Sequence, residues 1–456
     1  MFGYTVTGLG DVDGDGYDDV AVGAPLWDNG QVDEGAVFIY AGSDTGLSTS
    51  PARVLESNVA GAQFGAALAG GGDVNFDGYY DILIGAPQYS HGQTREGRAY
   101  VFLGSATGIR SVPIWTVESN VAEAQLGAAV AFADVDGDFL NDVVVGAPFY
   151  SGTFEEEGRV SVYLGTQNGV AASPQWVMAG GRSRARFGTS VSGADDFNGD
   201  GYNDVAVGAP GWSGREPDQG AVFLYLGTPG GLSTVATWRF EGSQPEAGFG
   251  RTVAVLADIN DDGFADLAIG AAGYSGALTR ARRVFVYFGT YESPDVADAA
   301  PPPLGDAIDG SEPGGGFGFA FAEIDVNQDL LPELLVSSIA HTGAQSGEGC
   351  VTWYGYQTIA TGVEDAVRGG LSIEAIQPNP ALRGVDVWFS LPHAEAAELD
   401  LLDLAGRRVV TRDVGTFGPG RHHVDLADAR SLAPGLYFVR LVQGHATARA
   451  KVVVVH

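Results

Sequence analysis

Apolar residues in this chain come in short, often β-branched runs that alternate with polar positions, and clusters of Gly, Asp and Asn separate the runs. That is the pattern of short strands joined by tight turns, with no sustained helical stripe. Alternating strands are expected at Ala36–Tyr40, Ala99–Leu103, Val160–Leu164 and Ala221–Leu226. A Gly-x-x-x-Gly turn leads from these into further strands such as Pro113–Glu118, Pro174–Met178 and Thr237–Glu241. The strands keep time with an acidic segment. DFNGDGYNDVAVGAP, from Asp196 to Pro210, has counterparts starting at Asp11, Asp73, Asp134, Asp258 and Asp325, with spacings of 62, 61, 62, 62 and 67 residues. About nine residues before each segment stands Phe-Gly or Leu-Gly: Phe2-Gly3, Phe64-Gly65, Leu126-Gly127, Phe187-Gly188, Phe249-Gly250 and Phe317-Gly318. A fixed period of this size signals a repeat architecture. Four short strands per period suit the blade of a propeller.

Within each acidic segment, oxygen-bearing side chains occupy positions 1, 3, 5 and 9, and position 6 is usually glycine. Such a loop wraps a hard cation, with the carbonyl of position 7 as a further oxygen. Without a cation, close carboxylate pairs would repel by about 4 kcal/mol at an effective dielectric of 20. A helix–loop–helix calcium site is excluded, because it needs a bidentate Glu at position 12. Position 12 here is Val22, Ile84, Val145, Val207, Ile269 or Val336, each inside a β-branched strand. The cation therefore belongs in a hairpin between the first two strands of a blade.

The Phe-Gly pair, the DxDxDGxxD loop and Gly-Ala-Pro together resemble the FG-GAP repeats that build the propeller of integrin α subunits and of many bacterial surface proteins. The resemblance runs from Phe2 to Tyr356. It implies up to six Ca²⁺ ions. The side-chain ligands would be Asp11, Asp13, Asp15 and Asp19; Asp73, Asn75, Asp77 and Asp81; Asp134, Asp136, Asp138 and Asp142; Asp196, Asn198, Asp200 and Asp204; Asp258, Asn260, Asp262 and Asp266; and Asp325, Asn327, Asp329 and Glu333. The carbonyl ligands would be Tyr17, Tyr79, Leu140, Tyr202, Phe264 and Leu331. Two loops depart from the pattern. Phe139 replaces the position-6 glycine in the third, straining a turn that favours positive φ. In the sixth, Leu330 replaces that glycine, Glu333 replaces Asp and Pro332 precedes it, so the sixth site is expected to be the weakest.

Composition narrows the function. The net charge of −33 argues against nucleic acid or an anionic membrane as partner. Twenty of the 57 acidic residues sit at the loop positions, so much of the charge belongs to the cation sites. Cys350 is alone, which leaves packing and metal to hold the fold, and it is expected to be a buried structural thiol. Lys451 is the only lysine. No apolar run is long enough for a transmembrane helix. Met1-Phe2 opens directly on a repeat, and no fourth strand of the sixth unit is recognisable after Tyr356. The expectation is a secretion signal, and a seventh blade, upstream of Met1.

Residues 1–356 thus read as an all-β propeller of six repeats, or a seven-bladed one short of a blade. Tyr291–Pro313 reads as a surface loop and 357–370 as a linker. From 371 to 456 the strands Val385–Leu391, Leu399–Leu404, Arg408–Val414, Arg421–Leu426, Gly435–Leu441 and Ala448–Val455 suggest a small β-sandwich of immunoglobulin type. Gln377-Pro378-Asn379-Pro380, Leu404-Ala405-Gly406-Arg407, Pro434–Phe438 and Lys451–Val455 resemble a type IX secretion C-terminal sorting domain and the related FlgD-like module. That likeness implies a secretion machinery as partner, and export to the outer surface of a bacterium.

No catalytic constellation stands out. There is no His-Glu-x-x-His, no Gly-x-Ser-x-Gly and no phosphate-binding Gly-Lys-Ser/Thr. His422-His423 reads as a solvated pair on a strand. Two residues past each Gly-Ala-Pro lies a ring: Trp27, Tyr89, Tyr150, Trp212, Tyr274 and His341. If these line one face, they form a candidate contact surface for a ligand and should be substantially exposed; the bland alternative packs them against neighbouring blades. The expected function is non-enzymatic adhesion or recognition of an extracellular protein or glycan. The alternative is a targeting or lectin-like module of a larger secreted hydrolase.

Overall fold

The computed structural model describes residues 2–193, 195–260, 262–276, 282–290, 304–312, 315–324, 332–340, 349–354, 372–377, 384–391, 396–402, 407–418, 420–428, 430, 432–433, 435–443 and 446–454. The chain divides into two compact units, Met1–Gln357 and Thr358–His456. The proposed linker 357–370 lies outside the described residues.

The first unit is a series of antiparallel sheets, each a simple meander in chain order. The first sheet comprises Thr5–Gly10, Asp19–Ala24, Ala36–Tyr40 and Arg53–Glu56, and the second Ala67–Gly72, Asp81–Ala86, Arg98–Phe102 and Trp115–Glu118. The third comprises Ala129–Ala133, Asp142–Ala147, Arg159–Tyr163 and Trp176–Ala179, and the fourth Ser190–Ser192, Val205–Ala209, Ala221–Tyr225 and Trp238–Glu241. The fifth comprises Phe249–Leu256, Asp266–Ala271, Arg283–Tyr287 and Leu304–Asp309. Three strands, Phe317–Ile324, Glu333–Ser338 and Cys350–Tyr354, make the sixth. The first strands of successive sheets are neighbours, so the sheets stand side by side like spokes. Leu304–Asp309 corrects the reading of Tyr291–Pro313 as loop throughout. It pairs with Arg283–Tyr287, and the Arg283–Asp309 ion pair at 2.6 Å holds its end. Its side chains are mostly exposed, so no apolar alternation advertised it.

Second strands such as DILIGA and DVVVGA are buried at every position, because each is covered on both faces by neighbouring sheets. Each core cluster of this unit that spans a seam draws on two consecutive sheets. The Phe-Gly pair builds the seam. Phe64, Phe187 and Phe249 are among the most deeply buried side chains. The amides of Phe64, Leu126, Phe187 and Phe249 each donate, at 3.1 Å, to a carbonyl of the preceding sheet: Glu34, Glu96, Glu157 and Gln219. The glycine after each of these residues then seats its carbonyl on the second-strand glycine of that preceding sheet. A Cβ on Gly23, Gly85, Gly146 or Gly208 would overlap the carbonyl oxygen of Gly65, Gly127, Gly188 or Gly250. Gly-Ala-Pro is therefore the receiving half of a joint whose other half is Phe-Gly.

The sixth sheet differs at this point. Strand register places Ser337 where Gly270 stands in the fifth sheet. Its hydroxyl accepts a hydrogen bond from the Ala320 amide at 2.9 Å. Among the described residues, the first strands of the first and sixth sheets do not pack as the five consecutive pairs do. Phe2, the counterpart of buried Phe64, is 57% exposed and stacks edge-on against Phe38 of its own sheet. Cys350 is half-buried rather than buried.

The second unit is a two-sheet sandwich. Ser372–Gln377, Gly384–Leu391 and Gly420–Asp428 form one sheet; Arg408–Asp413, Ala397–Leu402, Gly435–Gln443 and Ala446–Val454 form the other, in that spatial order. Val385, Val387 and Phe389 meet Leu399, Leu401, Val439 and Leu441 in a shared core. Asp400 is fully buried in the second sheet, where Thr411 Oγ1 donates to it at 2.6 Å and Arg440 Nη2 at 2.7 Å. Burial alone would raise its pKa, but Thr411, Arg440 and Arg408 outweigh that and hold it below the ordinary value. Among the described residues, no helix is long and apolar enough to cross a membrane.

Two outcomes test this architecture. Gly85→Ala must force the second and third sheets apart, so urea denaturation should show a loss of about 1–3 kcal/mol. Because the Asp400 pKa is lowered on folding, its ionised form stabilises the sandwich above about pH 4, and that contribution fades as pH falls through the lowered value. Asp400→Asn should cost about 3 kcal/mol at neutral pH, and denaturation at a series of pH values should show a flatter acid limb.

Candidate cation loops

Each of the five described hairpins between first and second strands is shaped by its own first aspartate. Asp11 Oδ1 accepts the amides of Gly14 (2.6 Å) and Asp15 (3.1 Å), and Oδ2 accepts that of Gly16 at 2.8 Å. Burial would raise the Asp11 pKa, but these amides hold it below its ordinary value. Asp134 takes the amides of Gly137, Asp138 and Phe139, and Asp196 those of Gly199, Asp200 and Gly201. Asp73 and Asp258 take the position-5 and position-6 amides of their loops. The amides of Tyr17, Tyr79, Leu140, Tyr202 and Phe264 in turn donate to the position-5 carboxylates Asp15, Asp77, Asp138, Asp200 and Asp262. Two turns of left-handed backbone allow this wrap. Position 6 has φ between 84° and 94° at Gly16, Gly78, Gly201 and Gly263, and 69° at Phe139, which is 77% exposed. Position 4 is left-handed as well, at Gly14, Gly137, Gly199 and Phe76. The glycines at position 4 in three loops carried that information in the sequence.

The residue at position 3 divides the loops into two kinds. In the second, fourth and fifth it is Asn, and Asn75, Asn198 and Asn260 each donate an amide N–H to the position-5 carboxylate at 2.9–3.0 Å. In the first and third it is Asp. Asp11, Asp13 and Asp15 bring carboxylate oxygens within 4.8 Å of one another, as do Asp134, Asp136 and Asp138. Burial, then the charges of Asp15 and Asp138, push the carboxyls of Asp13 and Asp136 up. The third loop, strained at Phe139, is thus one of the two with converging carboxylates.

Position 9 is a brace. Asp19 Oδ2 accepts the Val12 amide at 3.0 Å and Oδ1 the Gly42 amide at 2.8 Å, which ties the hairpin to the end of the third strand. Asp81, Asp142, Asp204 and Asp266 repeat both bonds. Burial pushes Asp81, Asp142 and Asp266 up to about 7, against the pull of these amides, and Asp204 well up too. Position 9 is not part of the converging triads. Asp325, Asn327, Asp329 and Leu331 lie outside the described residues; Glu333 is buried at the start of its strand.

The ring register lies at the other end of the sheets, in the loops between second and third strands. Tyr89 and Trp212 are buried, Tyr150 and Tyr274 half-buried, and His341 falls outside the described residues. Arginines cover these rings: Arg98 over Tyr89, Arg159 over Tyr150, Arg182 over Trp212 and Arg283 over Tyr274, at 4.2–5.0 Å from the ring centres. In the first sheet Ala36 stands where Arg98, Arg159 and Arg283 do, and Trp27 is 40% exposed. The five described rings therefore do not form a uniformly exposed collar; Trp27 alone among them shows a large free face.

Residues 2–40, 64–102, 126–163, 187–225 and 249–287 match the FG-GAP repeat, and 375–455 match the secretion system C-terminal sorting domain. The chain carries FG-GAP repeats and a C-terminal sorting domain. Its sixth unit lies outside the matched stretches, although its sheet follows the same strand order. The sorting domain makes this FG-GAP protein a secreted or cell-surface bacterial protein. Neither match is a catalytic family. Integrin alpha-4 of Xenopus laevis is 34% identical over 261 residues, 55% of this chain and 24% of that protein. Integrin alpha-5 of Xenopus laevis is 30% identical over 244 residues, 52% and 22% respectively. The chain thus spans about a quarter of the length of the curated relatives it matches. The solved Dos1 propeller aligns at a TM-score of 0.36 and 10% identity, over 71% of this chain and 62% of that one.

Replacing Phe139 by glycine should relieve roughly 1–2 kcal/mol of left-handed strain against roughly 0.5–1 kcal/mol of added chain entropy. A thermal melt of Phe139→Gly should show unchanged or slightly higher stability, whereas Gly201→Phe, the converse change, should lower it.

Proposed function

We propose that this FG-GAP protein is a calcium-braced recognition module, without catalytic activity, that meets an extracellular protein or glycan at the bacterial surface. The observation that carries the reading is the pair of carboxylate triads, Asp11/Asp13/Asp15 and Asp134/Asp136/Asp138. Three hard oxygen donors converging at an open hairpin fit Ca²⁺, which takes 6–8 oxygens, better than a soft transition metal. Asp13 and Asp136, raised by burial and then by the neighbouring charges, are the residues whose charge a cation would relieve. The loops with Asn75, Asn198 and Asn260 keep the same backbone wrap and are the second rank of sites, and the sixth loop the weakest. Bound ions would supply charge neutralisation and fix the hairpins; the chain's own residues would hold the spokes apart and present the loops of the opposite end. Trp27, uncovered by arginine, is the ring that supports a contact there.

Extracellular calcium modules bind at about 10⁻⁴–10⁻³ M, and each site held at ten times its Kd adds about 1.4 kcal/mol by linkage. Chelation with EDTA should therefore lower the melting temperature sharply, with recovery on adding Ca²⁺. A melt indifferent to EDTA, in protein shown to be metal-free beforehand, would remove the structural role. Ligand contact is read by saturable binding of the full chain to a glycan or extracellular-matrix array, with Trp27→Ala reducing it.

A further inference from the structure

The candidate loops are not self-contained. The first aspartate of the third loop, Asp134, has both backbone groups held by one residue of the next sheet. Its N–H donates to Asn203 Oδ1 at 2.8 Å, and its carbonyl accepts the Asn203 amide at 3.0 Å. Asn203 is position 8 of the fourth loop. The same pair of bonds joins Asp73 of the second loop to Asn141, position 8 of the third, both at 2.9 Å. Two more contacts cross the same seams. The Val74 and Val135 carbonyls accept the Thr166 and Thr228 amides at 3.1 and 3.0 Å. The Tyr202 ring lies over Gly137, where a Cβ would strike it.

We infer that position 8 serves the cation site of the preceding sheet, and that Asn203 and Asn141 are positioning residues for the loops beginning at Asp134 and Asp73. The inference rests on the calcium reading above. Asp134 is the residue on which its loop is wound, since it takes three loop amides on its carboxylate. Clamping its backbone from outside fixes where that carboxylate stands relative to Asp136 and Asp138. An outer group that orients a ligand without touching the metal changes affinity about 10–100-fold when removed. The other seams carry less of the clamp. Tyr80 and Ala265 offer Asp11 and Asp196 only an amide, at 3.4 and 3.1 Å. Pro332, at position 8 of the sixth loop, has no N–H to offer Asp258. The sites should therefore differ in affinity according to the neighbour each one has.

The test is calorimetric titration of the chelator-stripped full chain with Ca²⁺, in two backgrounds. Asp136→Ala disables the third loop and Asp200→Ala the fourth, and neither residue bonds across the seam. Asn203→Ala should weaken one site about tenfold in the Asp200→Ala background and change nothing in the Asp136→Ala background. Asn203→Asp, which keeps an acceptor for the Asp134 amide, should restore most of the loss. The opposite dependence would place Asn203 in the service of its own loop and overturn the inference. So would an Asn203→Ala protein that binds every ion as the parent does. Asn141→Ala, read against the second loop, repeats the test if Asn203→Ala fails to fold. A parent chain that takes up no Ca²⁺ would instead remove the calcium reading, and this inference with it.

Discussion

The steric allowance at each seam governs this structure. Sheets approach closely enough for a glycine carbonyl of one to rest on the α-carbon of a glycine in the one before. No other residue leaves that room. The close approach buries the second strand on both faces, which is why it reads as an unbroken apolar run. It also submerges the phenylalanine beside the joint. The core of the first unit is therefore not one mass but a succession of interlayers, each shared by two sheets.

Placing the acidic hairpins at the edge of these interlayers has a further effect. A hairpin on an isolated blade would be an exposed loop with like charges. Here a buried aspartate at position 9 fastens it to its own third strand, and the following sheet fastens it from the side. The carboxylates are held together by backbone amides. What distinguishes one loop from another is then a small choice, Asn or Asp at position 3, which decides whether an amide or a third charge completes the ring of oxygens.

Much of this was legible in the chain. The period, the four-strand unit and the hairpin location of the acidic segments all follow from residues that recur or alternate. What stayed hidden depends on partners distant in sequence. The arginines over Tyr89, Tyr150 and Tyr274 come from the first residue of the third strand, and only the fold brings them onto the rings; that is why the sequence left open whether the aromatic register was exposed or packed. Leu304–Asp309 is mostly exposed and has no apolar alternation, and it is a strand because Arg283–Tyr287 had an edge to pair. The role of Asn141 and Asn203 is invisible within their own repeat, since each acts on a neighbour about 70 residues earlier. The left-handed position 4 was visible in principle, but glycine there was overshadowed by glycine at position 6.

Ser337 gives the assembly a direction. Everywhere else the receiving socket is bare of side chain, so one sheet can follow another by the same rule indefinitely. At the sixth sheet the socket is plugged by a hydroxymethyl group that bonds Ala320 on the adjoining strand of its own sheet. Ser337 fills the place that glycine leaves open in the first five sheets, whereas Phe2 and Trp27 of the first sheet are exposed. The joints of the first and sixth sheets are therefore chemically unlike.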